Sequence, residues 1–418
     1  MEKAILVSVD FKDKHFKKIN PADSFLELEE LTKTAGAEVL DKIICSRQEP
    51  TPGMFIGKGK AEEINAIVRE SNVDTIIFDD DLTGTQQRNL EEIIQIKTID
   101  RTQLILDIFA QHAKSQEGKV QVELAQLEYL LPRLSGKGIL LSRLGGGIGT
   151  KGPGEQKLEV DRRRIRARID KLRKELSDLS QHRQNVRKKR KEKNIPTVAI
   201  VGYTNAGKST LLNTLTHAEQ IVRDSLFTTL DSLSRSLTLS NNQKIIISDT
   251  VGFLNRLPHH LIEAFKATLE EVKEADLLLH VLDVSHENYY EHNKAVYDVL
   301  KQLKSDEKPV VTVLNKIDKL SDRDWIERLK QDFPNSVVIS ALKKENIDGL
   351  LDKIQDDLSS LVAVSKFKIP LDRMDLVDLI YREGSVLSIE YAFDGVHIQA
   401  SIPKVTAEKL SRFQALEK

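Results

Sequence analysis

The sequence predicts an α/β multidomain protein, and three observations lead to that fold class. The length of 418 residues exceeds what one hydrophobic core organises, so roughly two to four domains are expected. Short apolar runs alternate with helical periodicity in two separate stretches, which is typical of α/β folds. Between these stretches lies a long heptad pattern, which predicts two paired helices.

Four domains are predicted along the chain. An N-terminal α/β domain covers residues 1–112, and a long antiparallel helical hairpin covers residues 113–195. A doubly wound α/β domain covers residues 196–365, and a small α+β domain covers residues 366–418.

The composition excludes several classes of protein. The 63 Lys and Arg nearly balance the 64 Asp and Glu, so only the distribution of charge can indicate a partner. The single cysteine, Cys45, excludes an intramolecular disulfide and a multi-cysteine metal site, which suits a reducing compartment. The first ten residues hold too short an apolar run for a signal peptide, and no stretch approaches the length of a membrane-spanning helix. A cytoplasmic protein with no membrane span is therefore expected.

The N-terminal domain alternates between the two kinds of element. Strands are expected at Ala4–Val9, Ile43–Cys45, Thr75–Phe78 and Thr98–Ile99, and helices at Ser24–Thr34, Gly59–Ser71 and Thr85–Ile96. The run Gly57-Lys58-Gly59-Lys60 precedes a helix and could bind an anion, although a plain turn with solvated lysines is the better interpretation.

The hairpin is predicted from leucines at helical spacing on both sides of a glycine-dense loop at residues 136–154. The apolar positions of the two arms are Leu124, Leu127, Leu131 and Leu134, then Leu158, Ile165, Ile169, Leu172, Leu176 and Leu179. Residues 161–193 hold fifteen Lys or Arg against five Asp or Glu. A charge run is usually a solvated helix face. Here the charge is so one-sided that a polyanion such as nucleic acid is the favoured partner.

Five short apolar runs predict a doubly wound parallel sheet, with ligands at the carboxyl ends of its strands. They are Thr197–Val201, Lys244–Ser248, Leu277–Asp283, Val310–Asn315 and Ser336–Ile339. The last domain is predicted to form a strand, a helix, two strands joined by the turn at Phe393–Gly395, and a final helix.

The first of these strands runs directly into the pattern G-x-x-x-x-G-K-S, which predicts a phosphate site. Its glycines allow backbone N–H groups to face phosphate oxygens, Lys208 can reach the β- and γ-phosphates, and Ser209 can ligate Mg²⁺. A chance turn is disfavoured because a strand precedes the pattern and a helix follows it. The predicted nucleotide-binding residues here are Gly202, Tyr203, Thr204, Asn205, Ala206, Gly207, Lys208, Ser209 and Thr210.

Three further strand ends select the nucleotide. Asp249 is placed to hold Mg²⁺ through water, and Gly252 can bring a backbone N–H to the γ-phosphate. A carboxylate at Asp318 can accept both N1–H and N2–H of guanine, which adenine does not offer, and the turn at Ser340 can offer an N–H to guanine O6. The residues concerned are Asp249, Thr250, Val251 and Gly252, then Asn315, Lys316, Ile317 and Asp318, then Ser340, Ala341 and Leu342. Together the four motifs predict a P-loop GTPase domain that binds GTP and GDP.

The residue after Gly252 is Phe253, where many GTPases carry a glutamine that orients the attacking water. A phenyl ring cannot hydrogen-bond to water. We therefore expect slow hydrolysis by the isolated protein and acceleration by a bound assembly, with charge stabilisation from Lys208 and the surrounding backbone N–H groups, among them that of Gly252.

The four motifs closely resemble those of the translation-factor class of GTPases. This resemblance implies that Thr229 ligates Mg²⁺ and senses the γ-phosphate, within the predicted nucleotide-binding segment Phe227, Thr228, Thr229, Leu230 and Asp231. Asn205 stands where the related TrmE group uses an asparagine to hold a monovalent cation. The resemblance thus suggests K⁺ stimulation, and a purely structural asparagine is an equal alternative.

The whole chain resembles the HflX family of ribosome-associated GTPases, in the TrmE–Era–Obg–HflX group. The similarity is carried by the runs Asp100–Thr102, Ile105–Phe109, Gln121–Leu127, Gly145–Gly149, Gly152–Glu155, Asp161–Arg163, Leu226–Phe227, Asp249–Phe253 and Leu257–Pro258. It implies binding to the large ribosomal subunit and its rRNA, with the hairpin reaching the peptidyl-transferase region, and splitting of stalled or idle ribosomes, often under stress. Expected RNA contacts are Gly146, Gly147, Lys151, Arg162, Arg163, Arg164 and Arg166.

Several alternatives stay open. Lys151 replaces the arginine that the family usually carries, which is either neutral drift or a tip suited to dislodging an inhibitor from the peptidyl-transferase region. A GTPase for RNA modification or ribosome assembly, and a nucleotide-dependent adaptor, are the other candidate functions. Related proteins bind adenine nucleotides through the N-terminal domain, so ATP is a further possible ligand, although no strong motif for it is present here.

Overall fold

A computed structural model of the chain describes residues 1–12, 21–134, 153–192, 195–216, 226–227, 233–241, 243–255, 266–320 and 324–414. Its contacts divide the chain into two compact units. The first holds the described residues of Met1–Asp178 together with Leu226 and Phe227. The second holds the described residues of Leu179–Arg223, Asp231–Leu257 and Lys266–Lys418.

The first unit is built on a parallel sheet. Among its described residues the strands are β1 (Glu2–Phe11), β2 (Ala37–Arg47), β3 (Thr75–Phe78) and β4 (Lys97–Asp100), in the order β2-β1-β3-β4. The helices that alternate with them are Pro21–Thr34, Lys58–Ser71, Gly84–Ile94 and Arg101–His112. Strand β3 is buried along its whole length, which suits its three successive apolar residues, Ile76–Phe78.

The helical hairpin pairs helix Gln116–Arg133 with the first part of helix Pro153–Glu192. Val120 and Leu124 pack against Ile169 and Leu172 in a buried seam. This is the contact that the leucine spacing predicts. Arg168 forms a bidentate ion pair with Glu123, with both N–O distances at 2.7 Å, and Gln116 donates to Glu175 at 3.2 Å. Because the two helices are antiparallel, a residue near the start of the first helix pairs with a residue further along the second.

The second unit contains a larger sheet. Its described strands are β5 (Thr197–Gly202), β6 (Leu233–Thr238), β7 (Lys244–Asp249), β8 (Leu277–Asp283), β9 (Val310–Asn315) and β10 (Ser336–Val338), in the order β10-β9-β8-β5-β7-β6. The accompanying helices are Lys208–Thr216, Lys266–Glu274, Tyr289–Gln302, Asp324–Asp332 and Ile347–Leu361, with a 3₁₀ turn at Ile317–Lys319. One core cluster lies on a single face of this sheet, where apolar strand side chains pack with those of helices Lys208–Thr216 and Ile347–Leu361. A second cluster, which includes Leu282 and Leu314, lies on the opposite face.

One strand of this sheet departs from the predicted parallel pattern. Strand β6 runs antiparallel to β7 at the edge of the sheet. Its side chains alternate between half-buried and exposed, as expected for an edge strand with one face in water. The remaining strands are parallel.

The C-terminal part is an antiparallel sheet with two helices against it. Its described elements are β11 (Val362–Ile369), helix Met374–Glu383, β12 (Ser385–Ala392), β13 (Gly395–Pro403) and helix Lys404–Lys409, with 3₁₀ turns at Leu371–Arg373 and Ser411–Phe413. The strand order is β11-β13-β12. The element order is the one predicted, but β11 begins at Val362, directly after the preceding helix, so the sheet starts before residue 366.

The predicted elements agree closely with those of the structure. Strands β3, β8 and β9 have the predicted bounds, and the others begin or end within a few residues of them, except that β2 extends well beyond Ile43–Cys45. The boundaries of the four domains stay a prediction. No helix in the described part of the chain is both long enough and apolar enough to cross a membrane.

Candidate nucleotide-binding site

The phosphate loop leaves the carboxyl end of β5, and two of its glycines are required by close contacts. Gly202 has φ of 153°, and a Cβ there would lie 2.3 Å from the carbonyl oxygen of Val281. Gly207 has φ of 96°, and a Cβ there would lie 2.3 Å from Nδ2 of Asn315. Both positions combine the left-handed region with no room for a side chain, so glycine is needed at each.

Lys208 is the first residue of the helix that follows the phosphate loop, and its side chain folds back into the loop. Its side chain is buried, and Nζ donates to the carbonyl oxygen of Tyr203 at 2.6 Å. Burial lowers the pKa of the ammonium group to about 8, and the nearby carboxylate of Asp249 opposes that shift. A desolvated cation held by the loop backbone can attract phosphate oxygens strongly.

The two described side chains that were predicted to bind Mg²⁺, Ser209 and Asp249, lie side by side. The hydroxyl of Ser209 donates to Oδ2 of Asp249 at 2.7 Å, so the two predicted metal-binding side chains are in direct contact. One hydroxyl and one carboxylate suit Mg²⁺, which keeps several waters and takes other ligands from phosphates. The described residues contain no group of three or more His, Cys, Asp or Glu that could hold a metal, which is consistent with such a sparse protein contribution.

The segment after β7 is joined to the phosphate loop by backbone hydrogen bonds. The amide of Phe253 donates to the carbonyl of Gly202 at 3.1 Å, and the amide of Thr204 donates to the carbonyl of Phe253 at 2.8 Å. A Cβ at Gly252 would lie 2.6 Å from Cγ2 of Thr204 and 3.0 Å from Nζ of Lys208. The loop, its lysine and the glycine predicted to face the γ-phosphate therefore meet at one point.

Asn315 links the phosphate loop to the predicted guanine-binding loops. Its Nδ2 donates to the carbonyl of Ala206 at 2.8 Å, and its Oδ1 accepts from the amide of Ala341 at 3.0 Å. The side chain is buried, so both contacts are protected from water.

Asp318 lies in the 3₁₀ turn after β9, and Ser340 orients it. The hydroxyl of Ser340 donates to Oδ1 of Asp318 at 2.6 Å. Lys316 adopts a left-handed backbone, with φ of 67°, and its Nζ lies 2.7 Å from Oδ2 of Asp283. Sequence reasoning missed the roles of the Ser340 hydroxyl and of Asp283. The position of Asp283 at the end of β8 was the available signal.

An aromatic stack beside the phosphate loop was also not predicted. The rings of Tyr203 and His292 are parallel, with centroids 3.8 Å apart. The hydroxyl of Tyr203 accepts a hydrogen bond from the amide of Asn255 at 2.9 Å. Burial lowers the pKa of His292 to about 4, so the imidazole is neutral at physiological pH. The stack fixes Tyr203 and, through it, the end of the segment that follows Phe253.

Only part of the predicted switch segment falls in the described residues. Thr228, Thr229, Leu230 and Asp231 lie outside them. Leu226 and Phe227 belong to the first unit, where the amide of Leu226 donates to Oγ1 of Thr34 at 3.2 Å. The ring of Phe227 makes an edge contact with Phe109, with centroids 4.5 Å apart.

The predicted RNA-binding residues are divided in the same way. Gly146, Gly147 and Lys151 lie outside the described residues. Arg162, Arg163, Arg164 and Arg166 lie on helix Pro153–Glu192 and are exposed or half-buried. Nη1 of Arg164 lies 3.8 Å from Oδ1 of Asp161, which is a weak ion pair between solvent-accessible side chains.

The lysines of the Gly57–Lys60 run form ion pairs on their own helix. Nζ of Lys58 lies 3.7 Å from Oε1 of Glu62, and Nζ of Lys60 lies 2.6 Å from Oε1 of Glu63. These contacts favour the plain turn over an anion site. ATP binding by the N-terminal domain stays a prediction.

Four family models match the chain in succession. They are described as GTP-binding GTPase N-terminal for residues 22–110, GTP-binding GTPase Middle Region for residues 112–190, 50S ribosome-binding GTPase for residues 197–316, and HflX C-terminal domain for residues 326–416.

Two curated relatives illustrate the similarity. The GTPase HflX of Caldanaerobacter subterraneus subsp. tengcongensis is 46% identical over 412 residues, covering 99% of this chain and 94% of that protein. The GTPase HflX of Escherichia coli is 40% identical over 413 residues, covering 98% of this chain and 96% of that protein.

A GTP-binding protein from Sulfolobus solfataricus, solved in complex with GDP, is similar to the chain at 28% identity. The match has a TM-score of 0.43 and covers 86% of this chain and 100% of that structure.

Proposed function

The chain belongs to the HflX family of GTPases, and we propose that it binds the large ribosomal subunit through rRNA and splits stalled or idle ribosomes in the cytoplasm. The observation that carries this proposal is the one-sided basic charge of helix Pro153–Glu192. A GTPase site and a surface suited to a polyanion occur in the same chain.

The basic helix supports rRNA as the partner. Its arginines at positions 162, 163 and 166 are exposed or half-buried, so their positive charge is accessible to a partner. Contacts between arginines and phosphates bind RNA through counterion release, largely without regard to sequence. The description 50S ribosome-binding GTPase, which belongs to the family model for residues 197–316, also supports this partner.

The nucleotide site supports guanine as the base and Mg²⁺ as the ion. Asp318 would accept from N1–H and N2–H of guanine, in the orientation set by Ser340. Ser209 and Thr229 would hold Mg²⁺ directly, and Asp249 would hold it through water. When bound, the ion neutralises charge on the β- and γ-phosphates. Lys208 and the loop amides hold the same phosphates and stabilise the charge that develops during hydrolysis.

A monovalent cation is a further part of the proposal. Asn205 has a left-handed backbone, with φ of 59°, in the turn of the phosphate loop. We expect K⁺ to increase turnover relative to equal concentrations of Na⁺. Equal turnover in the two salts, and an Asn205→Ala variant that hydrolyses GTP normally, would assign Asn205 a structural role only.

Sucrose-gradient sedimentation tests ribosome splitting directly. Intact ribosomes are mixed with the purified protein and either GTP or a non-hydrolysable analogue, and the subunit and intact peaks are compared. We expect the subunit peaks to increase with the protein and to stay unchanged with Lys208→Ala. An unchanged profile with both nucleotides would contradict splitting.

Turnover with and without large subunits separates an enzyme from an adaptor. Stimulation by large subunits is expected, because Phe253 leaves hydrolysis slow in the isolated protein. Stimulation only by small subunits, or by immature particles, would favour a role in RNA modification or assembly. A hairpin tip that footprints far from the peptidyl-transferase region would exclude the alternative in which the protein dislodges inhibitors from it.

A further inference from the structure

The position that usually orients the attacking water has no free hydrogen-bonding group in this protein. The side chain of Phe253 is apolar and 1% exposed. Its amide donates to Gly202, and its carbonyl accepts from Thr204. Neither the ring nor the backbone of Phe253 is therefore available to a water molecule at the γ-phosphate.

Thr204 is held beside this position by its own backbone. Its amide is fixed to Phe253, and an isolated β-bridge pairs the preceding residue, Tyr203, with Phe253. The Thr204 side chain packs on Gly252, since an added Cβ there would lie 2.6 Å from its Cγ2 and 2.8 Å from its Cα. The same added atom would lie 3.0 Å from Nζ of Lys208. Thr204 is thus next to both groups that are expected to contact the γ-phosphate.

The hydroxyl of Thr204 is buried and unsatisfied. The residue is 6% exposed, and within the described part of the chain Oγ1 has no hydrogen-bond partner. Buried polar atoms in native proteins are nearly always paired, so an exception calls for an explanation, and a ligand is one of them. A β-branched side chain in a fixed backbone has few rotamers, which holds the hydroxyl in place.

Neighbouring hydroxyls are already used. The Tyr203 hydroxyl accepts from the amide of Asn255, and the Thr250 hydroxyl donates to the carbonyl of Ile200 at 2.7 Å. The Ser209 hydroxyl contacts Asp249. Among these described side chains of the phosphate site, Thr204 alone offers a hydroxyl without a partner.

We propose that the Thr204 hydroxyl orients the water that attacks GTP. Its oxygen accepts a hydrogen bond from that water, and its O–H donates a hydrogen bond to a γ-phosphate oxygen while keeping its proton. The water oxygen forms the new bond to the γ-phosphorus while the bond from that phosphorus to the β,γ-bridging oxygen breaks. The electron pair of the broken bond stays on GDP, and the proton lost by the water ends on the released phosphate. No further reactant is needed. The hydroxyl takes over part of the role of the missing glutamine by position and not by acidity, and the rest of the acceleration is left to the bound large subunit.

Three substitutions separate the hydroxyl from the packing of the side chain. Thr204→Val keeps the shape and removes the hydroxyl, Thr204→Ser keeps the hydroxyl and removes the methyl group, and Thr204→Ala removes both. Single-turnover hydrolysis at saturating GTP is measured for each, together with the Kd for GTP and GDP. The full-length protein is used, with and without large ribosomal subunits, so the result does not depend on ribosome splitting.

We expect Thr204→Val to slow the chemical step by about tenfold or more, as removal of one positioned group does. The Kd for GDP should change by less than about threefold, because the hydroxyl faces only the γ-phosphate and its water. Thr204→Ser should stay within about threefold of the unsubstituted rate, and Thr204→Ala should resemble Thr204→Val.

Two results would overturn the proposal. Hydrolysis by Thr204→Val at the original rate would show that the hydroxyl is not used. Equal slowing in Thr204→Ser and Thr204→Val would show that packing against Gly252 is what matters. If Thr204→Val does not fold, the comparison of Thr204→Ser with Thr204→Ala still decides between hydroxyl and methyl.

Discussion

The hydroxyl of Ser340 donates a 2.6 Å hydrogen bond to Oδ1 of Asp318. This contact joins the turn after β10 to the turn after β9. It fixes the carboxylate in one plane, which two parallel hydrogen bonds to a guanine edge require. If Asp318 binds guanine as proposed, Ser340 acts on base recognition through that carboxylate, whereas the sequence suggested only a backbone contact from its turn.

Asp318→Asn should reverse the base preference at this position. An amide can donate where the carboxylate accepts, so GTP affinity is expected to fall by roughly 100-fold as two charge-assisted hydrogen bonds are lost. Xanthosine triphosphate, which carries an oxygen in place of the guanine amino group, should gain affinity. Competition between the two nucleotides measures the change. Ser340→Ala should weaken GTP binding without this reversal, and an unchanged guanine preference in Asp318→Asn would refute the assignment.

Lys208→Ala should abolish measurable GTP binding. The ammonium group is desolvated inside the loop, where its attraction for phosphate is stronger than at an exposed position. We expect a loss of at least about 100-fold in affinity, seen by titration with a fluorescent GTP analogue. Lys301→Ala, on the exposed side of helix Tyr289–Gln302, is the matched control and should bind normally. Binding by Lys208→Ala within tenfold of the original would contradict the assigned role.

Gly252→Ala should impair hydrolysis. The added methyl would lie 2.6 Å from Cγ2 of Thr204, which forces a shift costing about 1–3 kcal/mol. We expect turnover to fall by at least about tenfold, while GDP binding is affected less because the contact lies where the γ-phosphate is predicted to bind. Gly59→Ala is the control, since nothing lies within 4 Å of a Cβ there. Similar effects of the two substitutions would argue against the close contact.

Acid should destabilise the second unit through His280. This histidine is 0% exposed on β8, and burial, with a smaller effect of Lys208, lowers its pKa from 6.5 to about 4. Between those values the unfolded chain binds the extra proton, so stability falls as pH falls, by about 1.4 kcal/mol per pH unit. Above about pH 6.5 the histidine is neutral in both states and contributes no slope.

His280→Leu removes this titration with little change in volume. Urea unfolding, followed by the fluorescence of Trp325, the single tryptophan, gives the free energy of unfolding at pH 7 and pH 5. The original protein should lose about 2 kcal/mol more than His280→Leu over this interval. Equal losses in the two proteins would mean that His280 is protonated without cost in the folded state.

Neutralising Arg162, Arg163 and Arg166 together should weaken binding to large subunits and flatten its salt dependence. Each lost phosphate contact lowers the slope of log affinity against log salt by about 0.7–0.9. Binding is measured by co-sedimentation at several KCl concentrations. Replacement of Arg373, Arg382 and Arg412 in the C-terminal part removes the same charge and should leave the slope unchanged. Parallel slopes for the original protein and the first variant would place the RNA contact elsewhere.

The parts of the site that depend on backbone and spacing could be predicted from sequence. Gly202, Gly207 and Lys208 follow a strand whose apolar run is unmistakable, and Asp318 follows another. The contacts between motifs could not be predicted, because they depend on which strand ends are neighbours. The strand order places β9 beside β8, and that adjacency brings Asp283 to Lys316. Strand β6 was missed because its serines and threonine do not resemble a buried strand.

The side chain of Asn315 connects the phosphate loop to the turn after β10 through hydrogen bonds to Ala206 and Ala341. Those parts are predicted to contact groups that GTP and GDP share, so they should stabilise both nucleotides alike and slow the departure of either. Only contacts near Gly252 and Thr204 can distinguish the two nucleotides. A partner that accelerates exchange must therefore loosen the region around Asn315, whereas a partner that prolongs the GTP-bound state need only alter the region around Gly252.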